Sequence, residues 1–367
     1  MSSDDLRHMT HALGLARRGL GRVWPNPSVG CVIVKDGLVV GRGHTAPGGR
    51  PHGEPQALAM AGEAARGATV YVTLEPCAHT GKTPPCAQAL IDAGVARVVS
   101  ALTDDDPRVA GGGHQMLRDA GISVETGLCA HEARTINEGF FHRVNLGRPM
   151  LTLKLASSFD GRIATASGES QWITGPAARR NVHMERACHD GVLVGAGTAR
   201  ADDPSLNVRG LGIKHQPVRI IAARMLDIPL TGKLAQTARD IPVWLIHGPS
   251  VLPERRAAWE ACGAKLIEVP EENGTLSPAA MLQALGAEGM TRIYCEGGGS
   301  LAAALLRADL ADHISGYTAG VMLGAEGLAS LAPMGLETLA EAPRFTLKDI
   351  RRLGPDVLHR WQRSTSE

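Results

Sequence analysis

Four side chains near the start of the chain have types and spacing that chemistry can use: His52, Glu54, Cys77 and Cys86. One residue separates the His from the Glu, and eight lie between the two Cys. An imidazole and two thiolates form a three-ligand zinc set, which leaves the fourth tetrahedral position to water. A carboxylate that does not touch the metal can carry that water's proton. Zinc lowers the pKa of bound water from about 15.7 to about 7, so this combination suits hydrolytic removal of an amino group from an aminopyrimidine ring. A purely structural zinc usually has four protein ligands, and three fall into place here. A zinc-stabilised binding module stays open as an alternative.

The surrounding elements must present these groups. Pro51 suits the first turn of a helix, which places His52 and Glu54 at or just before that turn, with Gln56–Ala65 continuing it. A helix N-terminus brings partial positive charge to ligands facing a cleft. Thr69–Leu74 reads as a strand leading to Cys77, and Ala87–Ala93 as the helix that follows the Cys77–Cys86 loop. Upstream, Asp4–Arg18 has helical spacing of Leu6, Met9, Leu13 and Ala16, with Ser3 or Asp4 as its cap. Trp24–Gly30, with its two prolines, forms a rigid irregular segment that fixes Asn26, or simply a turn. Asp36-Gly37 marks a hairpin between Val29–Lys35 and Leu38–Gly43. Strands at Val95–Leu102 and Ile122–Gly127 alternate with helices at His114–Ala120 and Glu132–Phe141, an α/β pattern.

The pattern then restarts. Arg143–Pro149 reads as a linker and Met150–Leu155 as a new strand. Further strands are expected at Gly191–Gly195, Val218–Ala223, Val243–His247, Lys265–Val269, Arg292–Cys295 and His313–Val321. Helices are expected at Ala177–Cys188, Glu254–Cys262, Ala279–Leu285 and Leu301–Ala308, and a closing hairpin around Leu353-Gly354-Pro355. Glu296-Gly297-Gly298-Gly299-Ser300 lies between a strand and a helix. It serves either a tight turn or a backbone cradle for a pyrophosphate at the helix N-terminus.

At 367 residues, two domains are expected. The 38 basic and 37 acidic residues nearly cancel, which disfavours a nucleic-acid partner. Aromatics at 3 % put the burden of the cores on Val, Leu, Ile and Ala. Seven scattered cysteines suit reduced thiols, Met1–Leu20 has no signal-peptide apolar core, and no membrane-length apolar run occurs. A cytoplasmic protein is expected.

Thr73-Leu74-Glu75-Pro76-Cys77 with Gly81-Lys82-Thr83-Pro84-Pro85-Cys86 resembles the deaminase half of the bifunctional riboflavin-biosynthesis deaminase/reductases. Cytidine and tRNA-adenosine deaminases keep two residues between their cysteines, so the longer loop is the specific part of the match. The resemblance implies an N-terminal cytidine-deaminase-like three-layer α/β/α domain over residues 1–146. It assigns His52, Cys77 and Cys86 to Zn²⁺ and Glu54 to general acid/base work on a diaminohydroxyphosphoribosylaminopyrimidine. It makes Asn26 and His44 ring contacts, and brings His79, Lys82 and Thr83 near the metal, where they can hold a ribose phosphate. The chain departs from the family in having Gly53 where Ala is usual, and Asp104-Asp105-Asp106-Pro107 where Asp-Pro-Asn-Pro is expected. Asp106 cannot donate as an amide would.

Lys154–Arg162, Ser167–Thr174 and Thr198–Pro204 resemble the reductase half of the same family, implying a dihydrofolate-reductase-like α/β domain over residues 147–367 that uses NADPH. Position by position, the resemblance gives Ala156, Trp172, Thr198, Asp202, Gly297, Gly298, Gly299 and Ser300 to the cofactor. It gives Ser170, Arg186, Leu206, Arg209 and Glu296 to substrate, the arginines suiting a phosphate. Lys154 and Glu296 are candidates to protonate or polarise the opening sugar, or else a surface lysine and a helix-start acid. Ala223-Arg224 replaces the usual Asp-Ser, and Arg224 is expected at the 2′-phosphate of NADPH. The implied partners are small phosphoribosyl pyrimidines, with no nucleic acid and no membrane, in a dimer or tetramer. A nucleic-acid base deaminase with an accessory domain is the rival enzyme reading.

Overall fold

The computed structural model describes residues 2–78, 84–106 and 110–364. It divides into two compact units, Met1–Gly147 and Arg148–Glu367.

In the first unit the elements run α1 (Ser3–Ala16), β1 (Gly30–Lys35), β2 (Leu38–His44), α2 (Gly53–Ala61), β3 (Thr69–Val72), α3 (Cys86–Asp92), β4 (Arg97–Ser100), α4 (Gly112–Asp119), β5 (Ser123–Thr126) and α5 (Ala130–Leu146). They build a five-stranded sheet of order β2-β1-β3-β4-β5. The β2-β1-β3 pairings are antiparallel and the β3-β4-β5 pairings parallel. Helix α1 packs on β1, β3 and α5, whereas α2 packs on β1, β2 and α3, with α3 against α4. Helices therefore cover both faces. Close approach is what the glycines permit: a Cβ on Gly30 would stand 1.9 Å from the Ala12 carbonyl of α1, and one on Gly43 would stand 2.3 Å from the Gly53 carbonyl of α2. The second contact seats the N-terminus of α2, with His52 and Glu54, against the sheet. The core is aliphatic, with Met9, Leu13, Val32, Ile33, Val70, Leu90, Val98 and Leu117 buried.

Two expectations are corrected here. Helix α1 is capped by Ser2, one residue earlier than expected: its hydroxyl accepts from Asp5 N at 3.1 Å while Ser2 N donates to Asp5 Oδ2 at 2.7 Å. Asp5 also accepts from Arg97 at 2.8 Å and Tyr71 at 2.7 Å, which ties that end to β3 and β4. Helix α5 runs through Leu146, so Arg143 lies inside a helix and the connector shrinks to Gly147-Arg148-Pro149. Gly147, at φ 69°, supplies the left-handed stop.

The second unit contains β6 (Met150–Ser158), β7 (Arg162–Ala164), α6 (Pro176–Ala187), β8 (Gly191–Gly195), α7 (Ala196–Asp202), β9 (Val218–Ala222), α8 (Lys233–Gln236), β10 (Val243–His247), α9 (Pro253–Cys262) and β11 (Lys265–Glu268). It continues with β12 (Glu271–Glu272), β13 (Thr275–Leu276), α10 (Pro278–Ala287), β14 (Arg292–Cys295), α11 (Gly299–Arg307), β15 (His313–Ala319), β16 (Leu328–Ala329), β17 (Phe345–Leu353) and β18 (Asp356–Arg363). The main sheet has nine strands in the order β11-β10-β9-β8-β14-β6-β15-β18-β17. Pairings are parallel from β11 to β15, and the β18–β17 hairpin adds antiparallel to β15. Asp312 anchors the entry to β6, accepting from Leu151 N and from both Arg148 Nη atoms at 2.8 Å. Strand β14 inserts between β8 and β6. Ligands in open parallel sheets bind beyond the C-terminal strand ends where the winding order reverses, and the ends of β8, β14 and β6 are that place in this sheet.

Candidate active sites

His52 is the N-cap of α2 and Glu54 lies in its first turn. Cys86 is the first residue of α3, and its N–H donates to Cys77 Sγ at 3.3 Å. His52 Nδ1 lies 3.3 Å from Cys86 Sγ and 3.8 Å from Cys77 Sγ, and the three donor atoms all fall within 4.8 Å of one another. A tetrahedral zinc with ordinary Zn–N and Zn–S bonds requires N···S edges of about 3.6 Å. The donors fit zinc in both chemistry and spacing. The N–H at the start of α3 thus meets Cys77 Sγ, and hydrogen bonds from Cys86 and His52 lower that thiol to about 4, which favours thiolate there.

Beside the donors lies a cavity of about 200 Å³, whose wall includes Asn26, His52, Glu54, Cys77, Asp104 and Asp106. Glu54 is 3 % exposed, and burial raises its carboxyl pKa while the neighbouring His52 pulls it back down. Asn26 is packed against Gly49, where a Cβ would stand 1.6 Å from Asn26 Nδ2. His44 is not part of this wall; its Nδ1 is 2.9 Å from the Thr45 carbonyl. The expected contacts His79, Lys82 and Thr83 lie outside the described residues. Gly53 fits tightly: an added Cβ would stand 3.2 Å from Val29 O and 3.3 Å from His44 Cα.

Residue-by-residue reading of the sequence left several of these wall groups without a role. Glu75, adjacent to Pro76-Cys77, is a buried bracket: its carboxylate accepts from the N–H groups of Asp104, Gly111, Gly113 and His114 at 2.9–3.2 Å. It locks the Cys77 loop to the start of α4, where a Cβ on Gly113 would stand 1.8 Å from Pro76 O. Asp104 accepts from Asp106 N at 3.0 Å, and burial, reinforced by Asp106 and Glu75, lifts its carboxyl to about 6. Arg50 and Arg143 put two cations in the same wall.

In the second unit, Glu296 follows β14 and Lys154 lies on β6. Glu296 accepts from Arg186 Nε at 2.5 Å and from Nη2 at 3.1 Å, and its Oε2 is 4.0 Å from Lys154 Nζ. Burial pushes Lys154 down against the pull of Glu296, and Arg186 with Lys154 holds Glu296 below the usual carboxylate range despite its burial. Arg186 Nη1 also donates to Asn207 O at 2.8 Å, and Arg209 Nη1 to Asn207 Oδ1 at 3.1 Å. Both arginines thus meet one loop. Buried Leu206 sits in that loop at φ 49°, a left-handed conformation unfavourable to a branched side chain.

Thr198 and Asp202 fall on α7, a helix that the sequence reading did not resolve; their i, i+4 spacing puts them on one face. Gly298 N donates to Thr198 Oγ1 at 3.2 Å, joining two expected cofactor positions at the N-terminus of α11. Gly299 also approaches its own chain closely, since a Cβ would stand 3.1 Å from Ala332 N. Trp172 is exposed with Arg179 4.7 Å over its ring, and Ser170 lies two residues before it. Arg224 pairs with Glu271 at 3.2 Å.

Comparison with known proteins decides the family. Residues 149–359 match the family described as RibD C-terminal domain, and residues 2–102 match the cytidine and deoxycytidylate deaminase zinc-binding region. The riboflavin biosynthesis protein RibD of Escherichia coli is 45 % identical over 359 residues, covering 96 % of this chain and 98 % of that protein. The chain belongs to the RibD family. It is a deaminase/reductase of riboflavin biosynthesis, with a zinc-binding, cytidine-deaminase-like first half and a reductase second half of dihydrofolate-reductase-like fold. The RibD of Acinetobacter baumannii superposes with a TM-score of 0.89 at 41 % identity, over 99 % of both chains. A Thermotoga maritima structure, titled as a diaminohydroxyphosphoribosylaminopyrimidine deaminase/5-amino-6-(5-phosphoribosylamino)uracil reductase, superposes with a TM-score of 0.86 at 32 % identity, over 98 % of this chain and 99 % of that one.

Proposed function

We propose that residues 1–146 deaminate 2,5-diamino-6-(5-phosphoribosylamino)pyrimidin-4-one and that residues 147–367 reduce the ribosyl group of the resulting 5-amino-6-(5-phosphoribosylamino)uracil to ribityl with NADPH. The convergence of His52 Nδ1 and the two sulfurs within 4.8 Å, beside a buried Glu54, carries the first half of this reading. His52, Cys77 and Cys86 hold zinc, which supplies an acidified water when bound. Glu54 would take a proton from that water and pass it to the ring nitrogen as oxygen adds to the amino-bearing carbon, then take the proton of the newly added hydroxyl and pass it to the amine, so that ammonia leaves and a ring carbonyl remains. Asn26 orients the ring, and Asp104 lines the same cavity. His44, His79, Lys82 and Thr83 remain proposed contacts to the ring and phosphate.

In the second half Ala156, Trp172, Thr198, Asp202 and Gly297–Ser300 hold NADPH, which supplies a hydride. Lys154 would protonate the ring oxygen as its bond to the anomeric carbon breaks, and the bound cofactor would supply the hydride to that carbon. Glu296 keeps Lys154 and Arg186 in place. Ser170, Leu206, Arg186 and Arg209 position the substrate and its phosphate. The protein works in the cytoplasm as a dimer or tetramer; all seven cysteines are free, and among the described residues no helix is long and apolar enough to cross a membrane. The test supplies the diaminopyrimidine phosphoriboside to the zinc-loaded protein. Ammonia release without NADPH, then NADPH oxidation matched to the deaminated product, is expected; NADPH oxidation without prior ammonia release contradicts the order.

A further inference from the structure

Helix α5 presents a stripe of side chains to the cavity of the first unit. Asn137, Phe140 and Arg143 are successive i, i+3 neighbours on one side of that helix. Asn137 Oδ1 accepts from Ser28 N at 2.8 Å and Asn137 Nδ2 donates to Ser28 O at 3.1 Å, which pins the segment carrying Asn26 to this side. Phe140 and Arg143, one and two steps further along, are part of the cavity wall. Arg50 reaches the same wall from the segment that leads into α2. That segment is fixed by Ala46 N, which donates to Pro51 O at 3.0 Å, and by Gln56 Nε2, which donates to His52 O at 3.0 Å. Two arginines from separate elements therefore line one cavity with Asn26 and Glu54.

The rest of the wall is acidic. Glu54, Glu75, Asp104 and Asp106 bring four carboxyl groups, and apart from His52 the two arginines are the only basic groups among the described wall residues. A phosphomonoester carries about −1.5 to −2 charges at neutral pH, so a wall rich in carboxyl groups repels it unless cations oppose them. Guanidinium forks match phosphate oxygens in two parallel hydrogen bonds. The pyrimidine and ribose of the proposed substrate are uncharged. Its phosphate is the one part that an arginine recognises by charge.

We propose that Arg50 and Arg143 are specificity-determining residues of the deaminase half: they hold the 5′-phosphate and make the site select the phosphorylated pyrimidine over the bare riboside. This rests on the reading of the first unit as an aminopyrimidine deaminase. The two arginines act in addition to the contacts proposed above from the Cys77–Cys86 loop.

The test measures ammonia release by the zinc-loaded full chain, for the parent protein, Arg143→Gln, Arg50→Gln and Arg143→Lys. One readout is KM for the diaminopyrimidine phosphoriboside. The other is the inhibition constant of the same compound without its phosphate, added as a competitor. Each Gln variant is expected to raise KM for the phosphoriboside by about tenfold or more, as for loss of one charged contact, with the inhibition constant of the riboside unchanged. Arg143→Lys keeps the charge without the fork and should fall between parent and Arg143→Gln. Zinc content equal to the parent's shows that the site is intact in each variant. KM unchanged in both Gln variants, or KM and the riboside constant rising together, overturns the inference alone. Parent protein that releases no ammonia from the phosphoriboside overturns it together with the deaminase reading.

Discussion

Glu54→Gln is expected to reduce ammonia release by about 10²–10⁴-fold, the range for loss of a positioned general acid/base. The amide keeps the shape of the side chain but cannot take a proton from water. The proposed zinc donors are His52, Cys77 and Cys86, which the substitution leaves in place, so metal content should match the parent protein. NADPH oxidation with the already deaminated substrate should be unchanged. Parallel assays of ammonia, metal and NADPH on one preparation check all three outcomes. Loss of both activities would break the proposed division of labour, and so would loss of neither.

Lys154→Met is expected to do the opposite: NADPH oxidation falls by about 10²–10⁴-fold, while ammonia release persists. The methionine fills the same space on β6 without an ammonium to donate. A pH signature accompanies it. Burial lowers the Lys154 pKa, so its proton is lost as pH rises through a value below the ordinary lysine figure of about 10.4. Reductase kcat should therefore decline on the alkaline side at a lower pH than an exposed lysine would give, and the residual rate of Lys154→Met should lack that limb. A variant with parent-like kcat, or one that retains the alkaline limb, would remove Lys154 from the proton-transfer role.

Much of this architecture was legible in the sequence, because period and punctuation agreed. Asp36-Gly37 announced the β1–β2 hairpin, and strands such as β8 and β9 in the second unit are short runs of Val, Ile and Leu. The clustering of His52, Cys77 and Cys86 was legible because three residues of two uncommon types with a nearby Glu form a strong joint pattern. Groups that act through backbone contacts were not. Glu75 binds four amides contributed by segments about 30–40 positions later, and no local spacing records that. Asp104 looks like one of three ordinary loop acids until burial lifts it to about 6. Helix α7 was hidden because a seven-residue helix opening with Ala-Gly-Thr carries little hydrophobic periodicity. The Arg224–Glu271 pair spans 47 positions and exists only because parallel strands bring their ends together.

Metal analysis of the full chain tests the central claim most directly. The purified, ammonia-releasing protein should hold about one zinc per chain, and Cys86→Ser should lose most of that zinc together with deamination while still oxidising NADPH with the deaminated substrate. Protein that releases ammonia from the diaminopyrimidine at full rate with no zinc bound, or that keeps its zinc undiminished in Cys86→Ser, would contradict it.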